Sequence, residues 1–254
     1  MHKVDLNCDL GESFGVYKLG EDAAILAYIT SANVACGFHA SDPLTMAQTV
    51  ANAKASGVSI GAHPGFPDLL GFGRRAMQIT PQEAKAYIQY QVGALLAFCK
   101  SANVPLVHVK PHGALYNMAA RDIDLSYAIC NGIKEISPDI ILLAQSGSKM
   151  LEAAQELGLP FASEVFADRT YQPDASLTPR SHENAVIGSS ELAIAQTIQM
   201  VKEGTVTATN GQTIPIRADS ICIHGDSPKA LQFAKEIYGI LRAQDIVIAP
   251  LGGF

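Results

Sequence analysis

Nothing in this 254-residue chain concentrates positive charge: no basic stretch exceeds the pair Arg74-Arg75, and the formal net charge is -6. Phosphate backbones are held mainly by clustered Lys and Arg, so the composition argues against nucleic acid as a partner. No apolar run approaches the length that spans a bilayer, which argues against a membrane segment. Asp5, Asn7 and Asp9 interrupt the first apolar stretch before it could act as a signal-peptide core, and a cytoplasmic location is expected. The five cysteines, Cys8, Cys36, Cys99, Cys130 and Cys222, are odd in number and contain no C-x-x-C pair. That pattern fits a reducing compartment and excludes a disulfide scaffold. Several catalytic signatures are missing as well. There is no G-x-x-x-x-G-K-[ST], so Gly147-Ser148-Lys149 is not a P-loop, and no G-x-S-x-G, H-E-x-x-H or early G-x-G-x-x-G occurs. ATP, dinucleotide and serine-nucleophile chemistry have no motif of their own here.

What the chain does have is a rhythm. Seven short apolar runs each lead into a polar cluster: Val4–Glu12, Ala32–His39, Val58–Asp68, Leu106–Asn117, Ile140–Ser148, Phe161–Tyr171 and Ser220–Asp226. Segments of helical period lie between them: Pro43–Ser56, Pro81–Ser101, Ile123–Ser137, Lys149–Leu157, Ser189–Lys202 and Lys229–Ala243. Ser41-Asp42 and Thr80 are suitable N-caps, and Gly57, Gly158 and Gly204 are suitable stops. Strands and helices alternating at these lengths predict right-handed βαβ units and a parallel sheet. An open sheet gathers its chemistry at one switch point, whereas here nearly every strand end is polar. A closed seven-stranded β/α barrel in a single domain, 1–254, is the expectation. Thr205–Thr209 and Gln212–Ile216 around Asn210-Gly211 read as an inserted β-hairpin with a type I′ turn.

Parallel strands bring their C-terminal ends to one face, so residues there can share a site. The first strand ends on Asp9 and Glu12, two carboxylates able to serve as base, acid or metal ligand. Gly37-Phe38-His39, Gly61-Ala62-His63-Pro64-Gly65 and Lys110-Pro111-His112-Gly113 each set a histidine between small or rigid residues after a strand. Glycine there suggests close backbone approach to a ligand. His224, in Ile223-His224-Gly225-Asp226, repeats the pattern. One such histidine is usually structural; several at equivalent strand ends predict a common rim holding Asp9, His39, His63, His112 and His224. Histidines beside Asp9 would also suit a divalent ion, although no short-range ligand motif demands one. Lys110, Arg169 and Arg180 are candidates for anion recognition. Cys8 beside Asp9 makes a poor nucleophile, because the adjacent acid raises its pKa.

Read in order, NCDLGE, ANVACGFHASD, GAHPGFPD, GFGRR, VKPHGALYN, FADRTY and IHGD resemble the LamB/YcsF family from Asp5 to about Asp226. The resemblance implies a seven-stranded β/α barrel like those of glycoside hydrolases and deacetylases. It also implies ATP-dependent opening of 5-oxo-L-proline to L-glutamate by a 5-oxoprolinase, with this chain as the A component beside partner subunits B and C. In that scheme the partners hold ATP and phosphorylate the lactam, and this chain completes the hydrolysis. Asp9, Glu12, His39, His63 and His112 would be catalytic, with Lys110, Arg169 and His224 binding the substrate. A metal-dependent deacetylase using Asp9, His39 and His63, and a non-catalytic lactam-binding component, are the competing expectations.

Overall fold

In the computed structural model, which describes residues 2–223 and 230–252, Lys3–Leu10 form the first strand, β1. Its sequence alternates, and so do its faces. Val4, Leu6, Cys8 and Leu10 are buried in the hydrophobic core, while Asp5, Asn7 and Asp9 take the other face and meet polar side chains of neighbouring strands. The chain continues through α1 (Asp22–Ile25), β2 (Ser31–Ala35), α2 (Pro43–Ser56), β3 (Ser59–His63) and α3 (Pro81–Ala102). Next come β4 (Leu106–Val109), α4 (Gly113–Ala119), α5 (Ile123–Ile136), β5 (Ile141–Gln145), α6 (Lys149–Leu157), β6 (Phe161–Phe166) and α7 (Ser190–Glu203). The hairpin strands β7 (Thr205–Thr207) and β8 (Thr213–Pro215) lead to β9 (Ser220–Ile223), α8 (Ala230–Ala243) and β10 (Val247–Ile248).

Strands β1 to β6 and β9 form a closed parallel ring. Ser220 of β9 stands opposite both Glu164 of β6 and Asp5 of β1, which completes the circle. The short β10 pairs with Lys3 and Val4 at the start of β1, an addition the sequence pattern does not foresee. The helix signals act as read. The Asp42 carboxylate accepts from the amides of Leu44 and Thr45 at the head of α2, and Gly57 closes that helix in the left-handed conformation. Thr80 and Glu83 form a capping box on α3. Among the described residues, no helix is long and apolar enough to cross a membrane.

Two expectations need correction. The hairpin connection is not a type I′ turn, which would require positive φ at both Asn210 and Gly211. Only Gly211 has it, at 84°; its amide donates to Ala208 O and the Ala208 amide donates to Gln212 O, giving a turn closed by a glycine bulge. Gly61 does not open the backbone to a ligand. A Cβ there would stand 2.1 Å from His108 Nε2, so the glycine makes room for a histidine inside the barrel. His224 and Lys229, the expected start of the last helix, lie outside the described residues.

Candidate functional site

The barrel interior is polar along its whole axis, and the partners change from one end to the other. Near the start of β1, Asp5 accepts hydrogen bonds from Ser31 (2.6 Å), Thr30 (2.7 Å) and Ser220. One step along, Asn33 donates to Asn7 Oδ1 (2.8 Å) and accepts from His108 Nε2 (2.6 Å). At the C-terminal end stands Lys110. Its Nζ lies 2.9 Å from Asp9 Oδ1, 2.8 Å from Glu164 Oε1 and 3.2 Å from Cys222 Sγ. Burial by itself would lower the Lys110 pKa, but Asp9, Cys222 and Glu164 outweigh it and hold the ammonium well above its ordinary value. Asp9 shows the mirror effect: burial opposes its charge, and His63 and Lys110 override that and keep it well below the usual carboxylate range. Glu164 is fully buried, and its other oxygen accepts from Tyr116 Oη at 2.6 Å. Sequence reading passes over Glu164; the available signal is a carboxylate in the middle of the apolar run FASEVF.

Two backbone carbonyls determine which histidine nitrogens carry hydrogen. His63 Nδ1 lies 2.7 Å from Lys110 O and His112 Nε2 lies 2.8 Å from Phe72 O, and a carbonyl only accepts. Both of those nitrogens therefore donate. The remaining two, His63 Nε2 and His112 Nδ1, face one another at 2.9 Å. Neutral rings would place two lone pairs in that contact, so a cation belongs there. One additional proton suffices, with Asp9 Oδ2 at 3.3 Å from His63 Nε2 to balance it. Burial, then the charge of His63, pushes His112 down to about 3. His39 lies behind this pair. It stacks on His112 with ring centroids 3.7 Å apart and points Nε2 at Glu12 Oε1, 3.3 Å away. Burial, then the charges of His112 and His63, keeps His39 neutral by lowering its pKa well below the ordinary value.

A divalent ion is the other cation that could occupy the contact. Glu12, His39, His63 and His112 offer donor atoms within 4.8 Å of one another. An imidazole ligand keeps its metal near the ring plane, yet the planes of His39 and His112 are stacked within 3° of parallel. A single ion cannot lie in both. The sets that fit are therefore His63 and Glu12 with either His112 or His39, three protein ligands as in catalytic zinc sites.

Above these groups lies a cavity of about 620 Å³, within the usual range for small-molecule sites. Asp9, His63, Lys110 and His112 line it, and Arg74, Arg121, Arg169 and Arg180 stand in its wall. Glu12 and His39 do not line it. Arg169 is buried and donates through Nε to Ala185 O (3.1 Å) and through Nη2 to Thr178 O (2.6 Å), so it also ties down the loop that bears Arg180. The structure thus gathers Asp9, Lys110, His63 and His112 around one space, sets Glu12 and His39 behind them, and puts Arg169 at the edge. All five cysteines are buried; burial first and Asp9 second raise the Cys8 thiol well above its ordinary pKa, which leaves it no nucleophilic form.

Residues 4–254 match the model of the LamB/YcsF family. The chain belongs to the LamB/YcsF family. It is 59% identical to the A subunit of the 5-oxoprolinase of Clostridium beijerinckii over 251 residues, covering 99% of this chain and 98% of that one. The protein of the same description from Thermococcus onnurineus is 54% identical over 252 residues, 99% of each chain. Among solved structures, the lactam utilization protein of Thermus thermophilus superimposes with a TM-score of 0.94 at 42% identity, over 98% of this chain and 100% of that one. A family 4 carbohydrate esterase from Streptomyces lividans shares the fold alone, with a TM-score of 0.50 at 10% identity over 97% of this chain and 91% of the esterase.

Proposed function

We propose that this member of the family is the hydrolytic A component of a 5-oxoprolinase, acting on 5-oxo-L-proline that partner subunits B and C have phosphorylated with ATP. The observation that carries the reading is the cationic cavity: a buried ammonium and four arginines surround one carboxylate and the His63–His112 pair. Such a wall suits a small ligand with more than one negative group, and a phosphorylated lactam carries a carboxylate and a phosphate. The names of the relatives suggest the lactam, and in this reading the ATP step belongs to the partner chains.

A lactam is a stabilised amide, so opening it needs a better electrophile and stabilisation of charge on oxygen. Phosphorylation of the amide oxygen supplies the first, and Lys110 the second. Water adds to the ring carbon while Asp9 accepts its proton. As the C–N bond breaks, His63 delivers a proton to the departing nitrogen. The product is an acyl phosphate, which a second water converts to the carboxylate and free phosphate. Arg169 binds an anionic group of the substrate, while Glu12 and His39 act as positioning residues that fix the His112 ring.

The experiment is reconstitution. Purified chain alone should neither consume ATP nor release glutamate from 5-oxoproline, and adding subunits B and C should produce both. Glutamate released by the chain without ATP or partners would overturn the reading. It would favour a metal-dependent amidohydrolase, the alternative that the His63, His112 and Glu12 donors support; when bound, a divalent ion would polarise the substrate oxygen and acidify water.

A further inference from the structure

A second cavity of about 410 Å³ opens beside the first, and Asn117, Arg121 and Leu177 line both. It sits at the C-terminal end of β5, a strand that gives no charged group to the site described above. Gln145, Ser146 and Ser148, all at least nine-tenths buried, form part of its polar lining. Ser148 occupies the N-cap of α6 yet makes no capping hydrogen bond, and its hydroxyl finds no partner in the protein. A buried hydroxyl left unpaired forfeits the hydrogen bonds it made to water, so its persistence points to a ligand. The start of a nine-residue helix adds a partial positive charge, although its Lys149 and Leu151 amides already donate to Ala120 O and Ser148 O, and Arg121 adds a full one; the Lys149 ammonium is paired with Glu152 at 2.6 Å. One acid, Asp174, stands in the wall, with its Oδ1 accepting the Ser176 amide at 3.0 Å. Gln145 is engaged with Ala175 O, and the Ser146 oxygen accepts the Arg217 amide.

We propose that this second cavity is a phosphoryl subsite of the same cleft, holding a phosphate group between the Ser148 hydroxyl, at the positive end of α6, and Arg121. The assignment refines the reading of the larger cavity and rests on it for the identity of the molecule that bears the phosphate. It places the phosphate on the β5 side of the ring carbon to which its bridging oxygen is bonded. The substrate carboxylate is then left to Arg169 and Arg180, and the scissile carbon lies over Lys110.

Titration of inorganic phosphate into the full chain, alone and without ATP, tests this directly. Ser148→Ala and Arg121→Gln should each weaken phosphate binding about tenfold, the usual loss for one hydrogen bond to a charged group. Binding of unmodified 5-oxoproline to Ser148→Ala, whose side chain lines only the second cavity, should not change. Unchanged phosphate affinity in both variants would overturn the proposal. So would a loss confined to 5-oxoproline, which would make the cavity a carboxylate site. Because the titration needs neither partners nor turnover, a failed reconstitution would not be mistaken for a failed subsite.

Discussion

Asp5 and Asp9 sit on one strand, face the same barrel interior and differ by four positions, yet their chemistry is opposite. Asp5 is surrounded by hydroxyls, and burial pushes its carboxyl from 3.8 to about 6 despite hydrogen bonds from Ser220, Ser31 and Thr30. Asp9 experiences greater burial cost than any single favourable contact, but His63 and Lys110 together overcome it and keep it ionised. Neutral donors ease a buried charge; cations retain it. The first arrangement makes a plug that closes the barrel floor. The second makes a charge available beside a cavity. Between them, the Asn7, Asn33 and His108 layer passes hydrogen bonds from one to the other without carrying net charge of its own, since burial lowers His108 to about 3.

The same substitution at the two positions should therefore give different results. Asp9→Asn removes the proton acceptor and a counter-ion of Lys110 and His63, and should reduce glutamate release by the reconstituted complex about 10³-fold. Glu164 still pairs with Lys110, so the circular dichroism spectrum should remain native. Activity within a few-fold of wild type, about the experimental scatter of an uninvolved side chain, would reduce Asp9 to a structural role.

Asp5→Asn should leave turnover intact and alter stability instead. The folded-state pKa of Asp5 lies above its unfolded value, so the native state binds the proton more tightly. Its contribution is fully present below about pH 4 and is lost as pH rises through 6, by up to about 3 kcal/mol. The variant cannot lose it. The gap in unfolding free energy between variant and wild type should move in favour of the variant by that amount from pH 4 to pH 7, then level off. A gap that stays constant in urea titrations across this range would show that Asp5 is not protonated on folding.

Much of this architecture is legible before any coordinates. Proline, threonine and aspartate at helix starts, glycine at helix ends and the period of the apolar runs all depend on neighbours along the chain, so a local reading captures them. The β1 alternation of Val4, Leu6 and Cys8 against Asp5, Asn7 and Asp9 belongs to the same class. Glu164 does not stand out, because its meaning depends on Lys110 and Tyr116 from other strands and helices. The His63–His112 contact is hidden for the same reason, and its proton is fixed by the carbonyls of Lys110 and Phe72, which no residue-type pattern encodes. Asn210-Gly211 misleads in the other direction. The dipeptide favours a two-residue turn, but the strand register from Thr207 to Thr213 leaves a longer connection, and only the glycine takes positive φ.

The smallest expected effect lies in the layer that separates the two aspartates. Gly61 is in β3, and a methyl group there would meet the His108 ring, with Nε2 at 2.1 Å and two ring carbons at 2.3 Å. The imidazole is fully buried and cannot simply rotate into solvent. Gly61→Ala should therefore cost about 2 kcal/mol through overpacking, read as a lower denaturation midpoint with unchanged urea dependence. The shift would be transmitted as well. His108 holds Asn33 Oδ1, and the Asn33 amide holds Asp9 Oδ1, so displacing the ring loosens the carboxylate without touching its charge. Turnover should fall by much less than in Asp9→Asn, with kcat affected more than KM, because the substrate-facing arginines are remote from the change. Full stability and full activity in Gly61→Ala would mean that His108 has an alternative place in the barrel, and that the middle layer does not couple the floor to the site.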